Sequence, residues 1–172
     1  MDTLLGHDVQ FELNTLTDHG LVSIIMPNYN SAKYIKDAID SVVAQTYTNW
    51  ELIIVDDCSL DNSFEIINQY KDARIKLIKN ESNSGAAISR NNAIKMAQGR
   101  WIAFLDSDDL WNKDKLLKHL QFMVQSQSAF SFTHYSVLNN ENELITVFSP
   151  SKDSYDYNTF LALLYWLFYC YL

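Results

Sequence analysis

Four short apolar runs, each closed by polar residues and followed by a stretch of helical period, limit what this chain can fold into more than any other feature. Residues 21–26 form the first run, stopped by Pro27, and residues 50–55 the second, ending at Asp56-Asp57. Residues 75–78 form the third. Residues 101–105 form the fourth, with Gly99 before it and Asp106-Ser107-Asp108-Asp109 after it. Continuous apolar runs of this length read as strands buried on both faces. Residues 32–44 carry Ile35, Ala38, Ile39, Val42 and Val43 at helical spacing, with Asn30 or Ser31 as cap. Residues 61–70 place Phe64, Ile67 and Tyr70 on one side, with Ser59 as cap. Residues 84–97 turn Ala87, Ile94 and Ala97 inward and are ended by Gly99, and residues 113–125 carry the stripe Leu116, Leu117, Leu120, Met123, Val124. Residues 130–138 and 144–148 read as a hairpin around residues 139–142, where the pattern changes to antiparallel strands.

Strand–helix alternation predicts an α/β fold with a mostly parallel central sheet, helices on both faces, and an antiparallel hairpin toward the C-terminus. In such sheets ligands bind beyond the C-terminal ends of the strands. The polar clusters fall there: Pro27-Asn28-Tyr29-Asn30, Asp56-Asp57, Asn83-Ser84-Gly85 and Asp106-Ser107-Asp108-Asp109. Four strand ends therefore predict one cleft. Three carboxylates at the end of a buried strand repel one another, which a fold tolerates where a cation sits between them. Mg²⁺ and Mn²⁺ prefer oxygen ligands and bridge to phosphates. The structural alternative is an acidic loop capping the next helix.

A chain of 172 residues fits one domain. We read residues 1–20 as a lead-in, 21–150 as the ligand-binding domain and 151–172 as an apolar tail. A net charge of −8 without a basic cluster argues against nucleic acid as a partner. Cys58 and Cys170 read as free thiols of a reducing compartment. The N-terminus shows no basic-then-apolar signal segment. Residues 160–172 carry no charge but are shorter than the roughly 17–25 residues that span a bilayer. They fit a buried helix, a membrane-surface segment or a stretch foreign to the fold. The absence of G-x-G-x-x-G and G-x-x-x-x-G-K-[ST] argues against dinucleotide and P-loop enzymes.

Residues 22–30 (VSIIMPNYN), 51–61 (ELIIVDDCSLD), 83–91 (NSGAAISRN) and 99–111 (GRWIAFLDSDDLW) together resemble the family 2 glycosyltransferases, inverting sugar transferases with the Rossmann-like GT-A fold. The resemblance covers about residues 21–135. It implies metal-dependent transfer, with inversion, of a sugar from a nucleotide-diphosphate sugar (a UDP-sugar foremost) to a glycan or lipid-linked cell-surface acceptor. The expected location of that work is the cytoplasm, at the inner face of the membrane; the membrane-surface option for residues 160–172, read from their composition, would make the tail a peripheral contact there. Carried over, Pro27, Asn28 and Tyr29 lie along base and ribose, and Asp56, with Asp57 beside it, faces the base edge. Gly85 lets the backbone come close, while Arg90 and Asn91 contact the nucleotide or support the cleft. Asp106 and Asp108 form the Asp-x-Asp pair that touches ribose and holds Mn²⁺ or Mg²⁺ against the diphosphate, with Asp109 assisting or capping the next helix. Each assignment has a plainer counterpart: Arg90 as a surface helix arginine, Asp56 as a helix-start acid, Tyr29 as a packing residue. Trp50, Trp101 and Trp111 read as core or cleft walls.

An inverting transferase also needs a general base for the acceptor hydroxyl. In this family it is usually an aspartate in a later segment. The candidates here, Asp114, Glu141, Glu143, Asp153 and Asp156, lie in no recognisable base motif, so the catalytic base stays unassigned. The expectation is a shortened, frame-shifted or cut form of such an enzyme. Its alternative function is that of an inactive nucleotide-binding fragment. A third reading, an aspartyl-phosphate hydrolase with Asp106 as nucleophile, has Leu110 against it where Thr or Val is expected, and a motif on the fourth strand instead of the first.

Overall fold

The computed structural model describes residues 18–139 and 143–148. Most of the lead-in, the centre of the hairpin turn with Glu141, and the tail with Asp153 and Asp156 lie outside the described residues. The chain divides after Ser128 into two compact units. The first holds β1 (Val22–Asn28), α1 (Ile35–Val43), β2 (Trp50–Asp56), α2 (Ser63–Asn68), β3 (Ile75–Lys79), α3 (Ala86–Met96), β4 (Trp101–Phe104) and α4 (Lys115–Ser126). The second holds the antiparallel pair β5 (Tyr135–Leu138) and β6 (Leu144–Phe148).

The four strands of the first unit are all parallel, in the order β3-β2-β1-β4. β1 and β2 are buried along their whole length. Alternate residues divide the core between two faces. Ile24, Met26, Leu52 and Ile54 pack with Ile35, Ile39 and Val42 of α1, Ile67 of α2, and Leu116 and Leu120 of α4. Ile25, Ile53 and Val55 pack on the other face with Ala93 of α3. Each fully buried aliphatic side chain here stabilises by roughly 1.5–3 kcal/mol.

Four local expectations change. β1 runs through Pro27 to Asn28. The N–H groups of Val22 and alternate residues point toward β2, and those of the other set toward β4. Pro27 belongs to the second set and lies beyond Phe104, the last residue of β4, so its missing donor costs no ladder bond. β4 buries one face only: Trp101 and Ala103 meet the core, while Ile102 and Phe104 are 42% and 54% exposed. α3 turns Ser89 and Ala93 inward, with Ala97 beside them, whereas Ala87 and Ile94 face out. Neither α1 nor α2 has a side-chain cap from its own N-cap residue. The carboxylate at the start of α1 comes across from the loop before α2, where it also serves the start of α2.

A buried carboxylate locks the end of the sheet remote from the strand C-termini. Glu51 accepts from Ser23 Oγ at 2.6 Å, Lys76 Nζ at 2.7 Å and Gln98 N at 2.7 Å. Burial alone would raise its pKa, but the Lys76 ammonium, the Ser23 hydroxyl and the Gln98 N–H outweigh burial and hold it below its ordinary 4.5. A depressed carboxyl stabilises the fold fully above its unfolded-state value and loses that stabilisation as pH falls through the folded one. Glu51→Gln should therefore lower stability by about 1.5–3 kcal/mol at neutral pH. In urea titrations the gap from wild type should close as pH drops below 4.5. A gap unchanged in acid would contradict this role for Glu51.

Candidate functional site

Three loops at the C-terminal end of the sheet are tied together by side chains before any ligand is considered. Asn28, at the end of β1, is buried, and its amide donates to Asp56 Oδ1 at 2.7 Å and to the hydroxyls of Ser59 and Ser63, both at 3.2 Å. Its carbonyl oxygen accepts from the Ser31 hydroxyl. Asp56 is 0% exposed and also accepts from the Ser59 N–H at 3.1 Å and from the Ser59 hydroxyl. Asn30 sits in the left-handed region at φ 50 and spans to the next loop. Its N–H donates to Ser59 Oγ and its side-chain oxygen accepts the Leu60 N–H. Asp61 accepts the N–H of Ala32 at 2.9 Å and of Ser63 at 3.0 Å, so one carboxylate serves the starts of both α1 and α2.

Asp57 does the same for the loop after β3. Its Oδ1 accepts from Asn80 Nδ2 at 2.7 Å and Ser84 N at 2.8 Å, and its Oδ2 from Gly85 N at 2.7 Å. Burial pushes its carboxyl up, but these donors and the Ser89 hydroxyl outweigh burial and hold it below the usual carboxylate value. Gly85 adopts φ 86, a conformation that suits glycine and lets the loop close on the carboxylate.

β4 delivers the acidic segment. The Leu105 N–H bonds to Ile25 O, and the Asp109 N–H to Asp106 O, which folds Asp106 to Asp109 into a tight turn. Arg90 Nη2 of α3 donates to Asp106 Oδ1 at 2.5 Å. Asp109 is pushed above its usual pKa, first by desolvation and then by the charges of Asp108 and Asp106, against the opposing charge of Lys115. Gln45, buried just past α1, anchors the segment that leads from this turn into α4: its Nε2 donates to Asn112 O at 2.9 Å and its Oε1 accepts the Leu116 N–H at 3.0 Å.

These loops enclose an open cleft of about 190 Å³ lined by Pro27, Asn28, Tyr29, Asp57, Ala86, Ser89, Arg90, Asp106, Ser107 and Asp108. Seven of the residues singled out from sequence thus meet there: Pro27, Asn28, Tyr29, Asp57, Arg90, Asp106 and Asp108. Gly85 borders the cleft next to Ala86. Asp56 does not line it; it is sealed behind the wall as a loop organiser, and the cleft-facing acid after β2 is Asp57. Asn91 is exposed on α3, one residue and about 100° of helix away from Arg90, and is not part of the lining. Sequence reasoning leaves Asn80 and Gln45 unassigned and misses the bracing roles of Ser59 and Asp61. Asn80 directly follows β3, so the strand-end rule marks it; the others support the cleft through contacts distant in sequence.

Among the described residues no group of three His, Cys, Asp or Glu side chains stands close enough to hold a metal ion unaided. Asp106 and Asp108 share the cleft, which fits a cation held by two carboxylates and completed by phosphate oxygens.

Parallel strands converging on a carboxylate-lined cleft with one arginine define an α/β domain whose ligand crevice lies beyond the C-terminal ends of the strands. The profile of Glycosyl transferase family 2 matches residues 23–167. The putative teichuronic acid biosynthesis glycosyltransferase TuaG of Bacillus subtilis (strain 168) is 49% identical over 140 residues, which is 80% of this chain and 56% of that protein. The Escherichia coli protein WfgD, named UDP-Glc:alpha-D-GlcNAc-diphosphoundecaprenol beta-1,3-glucosyltransferase, is 45% identical over 139 residues, 81% of this chain and 55% of its own. Among solved structures, S. aureus TarS 1-349 in complex with UDP-GlcNAc superposes with a TM-score of 0.59 at 36% identity, over 62% of this chain and 32% of that one. The mannosyltransferase PcManGT from Pyrobaculum calidifontis, in complex with GDP-Man and Mn²⁺, gives 0.59 at 26% identity, over 62% and 33%. The chain belongs to glycosyl transferase family 2, with the GT-A fold, and spans about half the length of the curated relatives it matches. Family membership sets aside the aspartyl-phosphate hydrolase reading.

Proposed function

We propose that this chain provides the donor side of a metal-dependent transferase that moves a sugar from a nucleotide-diphosphate sugar to a glycan or lipid-linked acceptor of the cell surface, with inversion. The observation that carries the reading is the meeting of Asp57, Arg90, Asp106 and Asp108 around one cleft. In this reading Tyr29 and Pro27 line the base and ribose, and Asp106 and Asp108 hold Mn²⁺ or Mg²⁺. The cation, as a Lewis acid, stabilises charge on the departing diphosphate. Arg90 adds a forked contact to phosphate. Asn28, Asp56 and Gly85 act by holding the loops, and Asn91 sits at the margin.

A uridine nucleotide is the leading donor, since TarS is recorded with UDP-GlcNAc and WfgD is named for UDP-Glc. WfgD's diphosphoundecaprenol acceptor supports a lipid-linked acceptor; the site of action in this reading is cytoplasmic, at the inner face of the membrane. No helix among the described residues is long and apolar enough to cross a membrane. Contact of the tail with lipid falls outside the described residues.

A second reading, donor binding without transfer, is favoured by the two described base candidates. Asp114 immediately precedes α4, its carboxylate lies 3.9 Å from Lys118 Nζ, and it is not among the residues lining the cleft. Glu143 is engaged by Asn139, its N–H donating to Asn139 Oδ1 and its Oε2 accepting from Asn139 Nδ2. A thermal-shift screen of nucleotides and nucleotide sugars, with and without Mn²⁺, tests both. A uridine diphosphate compound with Mn²⁺ should give the largest upward shift, because a ligand that binds only the native state raises its stability. If no nucleotide shifts the transition, the donor-site reading fails; product formation by this chain would decide against the second reading.

A further inference from the structure

This inference rests on the cleft being a site for a nucleoside diphosphate and a divalent cation. Three acids and one base face it: Asp57, Asp106, Asp108 and Arg90. Asp57 is engaged by the Ser84 and Gly85 N–H groups and by Asn80, so its charge is tied to the loop. Asp106 differs. Its Oδ1 takes the Arg90 guanidinium at 2.5 Å, with the Asp106 side chain 47% exposed and that of Arg90 18% exposed. A cation on the Asp106 carboxylate and the guanidinium on that same group repel each other. A diphosphate, by contrast, suits the guanidinium better than a single carboxylate, because it offers more charge and a matching fork of oxygens. Ser89 and Ala93 fasten α3 against the sheet, so the Arg90 backbone is fixed and only its side chain needs to swing.

We propose that Arg90 is a positioning residue that couples the two ligands. It is an internal counter-ion on Asp106, opposing a cation that arrives alone, and a diphosphate draws it away. Nucleotide and cation then bind cooperatively, each tightening the other by the same factor.

Isothermal titration of Mn²⁺ into the full chain, with and without UDP, tests this on wild type, Arg90→Gln and Arg90→Lys. Comparison between variants cancels the affinity of Mn²⁺ for UDP in solution. Arg90→Gln should bind Mn²⁺ alone about tenfold more tightly than wild type, and the enhancement that UDP gives should shrink. Arg90→Lys keeps the charge but not the fork, so Mn²⁺ alone should bind nearly as in wild type while part of the UDP enhancement is lost. Arg90→Gln binding Mn²⁺ alone no better than wild type, or an unchanged UDP enhancement, overturns the proposal. Should Arg90→Gln fail to fold, an Arg90→Lys protein with the full wild-type enhancement overturns it equally. If wild type binds neither UDP nor Mn²⁺, the donor-site reading itself falls and takes this coupling with it.

Discussion

Asp108→Ala is expected to remove the Mn²⁺-dependent response to nucleotide while leaving the fold as stable as before. Asp108 is an exposed residue of the cleft wall, so truncating it should change stability by no more than about 0.5 kcal/mol. In the proposed function its carboxylate is one of two that bring a cation to the diphosphate. Loss of a preorganised group aimed at developing charge costs about 10²–10³-fold in rate, and donor turnover should fall by that much wherever it is measurable. The thermal shift with UDP and Mn²⁺ should vanish even if the chain performs no transfer. A variant that keeps the full Mn²⁺-dependent shift would show that the cation is held elsewhere.

Asp56→Ala should act in the opposite way, through the fold first. The carboxylate is fully buried and receives the Asn28 amide, the Ser59 N–H and the Ser59 hydroxyl. Removing it leaves those donors without an acceptor, at about 2–4 kcal/mol in total. The loops after β1 and β2 lose their common anchor, so nucleotide affinity should drop as well, although Asp56 does not line the cleft. Urea unfolding measures the first effect and calorimetry the second. A loss of stability under about 0.5 kcal/mol would mean that the loops hold without it.

The contrast between Asp56 and Asp57 shows where sequence reasoning stops. The strands are legible because burial on both faces leaves continuous apolar runs, and β1 and β2 are indeed buried throughout. Two adjacent acids at a strand end look alike until parity is known. Asp56 follows Leu52 and Ile54 onto the face covered by α1, α2 and α4; Asp57 follows Ile53 and Val55 toward α3. The same parity makes Asp57 the acid that reaches the α3 loop. Asn91 falls outside the cleft for a related reason: a family-like segment reads as a unit, but a helix shows one face to a cleft, and Arg90 occupies it. The starts of α1 and α4 are illegible locally because acceptors for them come from another segment: Leu116 depends on Gln45, seventy-one residues back. Ala32 depends on Asp61, twenty-nine residues on. β4 looks fully interior in sequence, yet Ile102 and Phe104 are open on one face. Hydrophobicity alone does not say which neighbours a strand has.

The crossed hydrogen bonds between Asn30, Ser59, Leu60, Ala32 and Asp61 carry a practical consequence for anyone wishing to re-tailor what the cleft accepts. Neither segment is a free-standing cassette, since each supplies acceptors that the other needs. A transplant of one from a homologue strands polar groups on the segment left behind, whereas moving the two as a matched set keeps every partner in place.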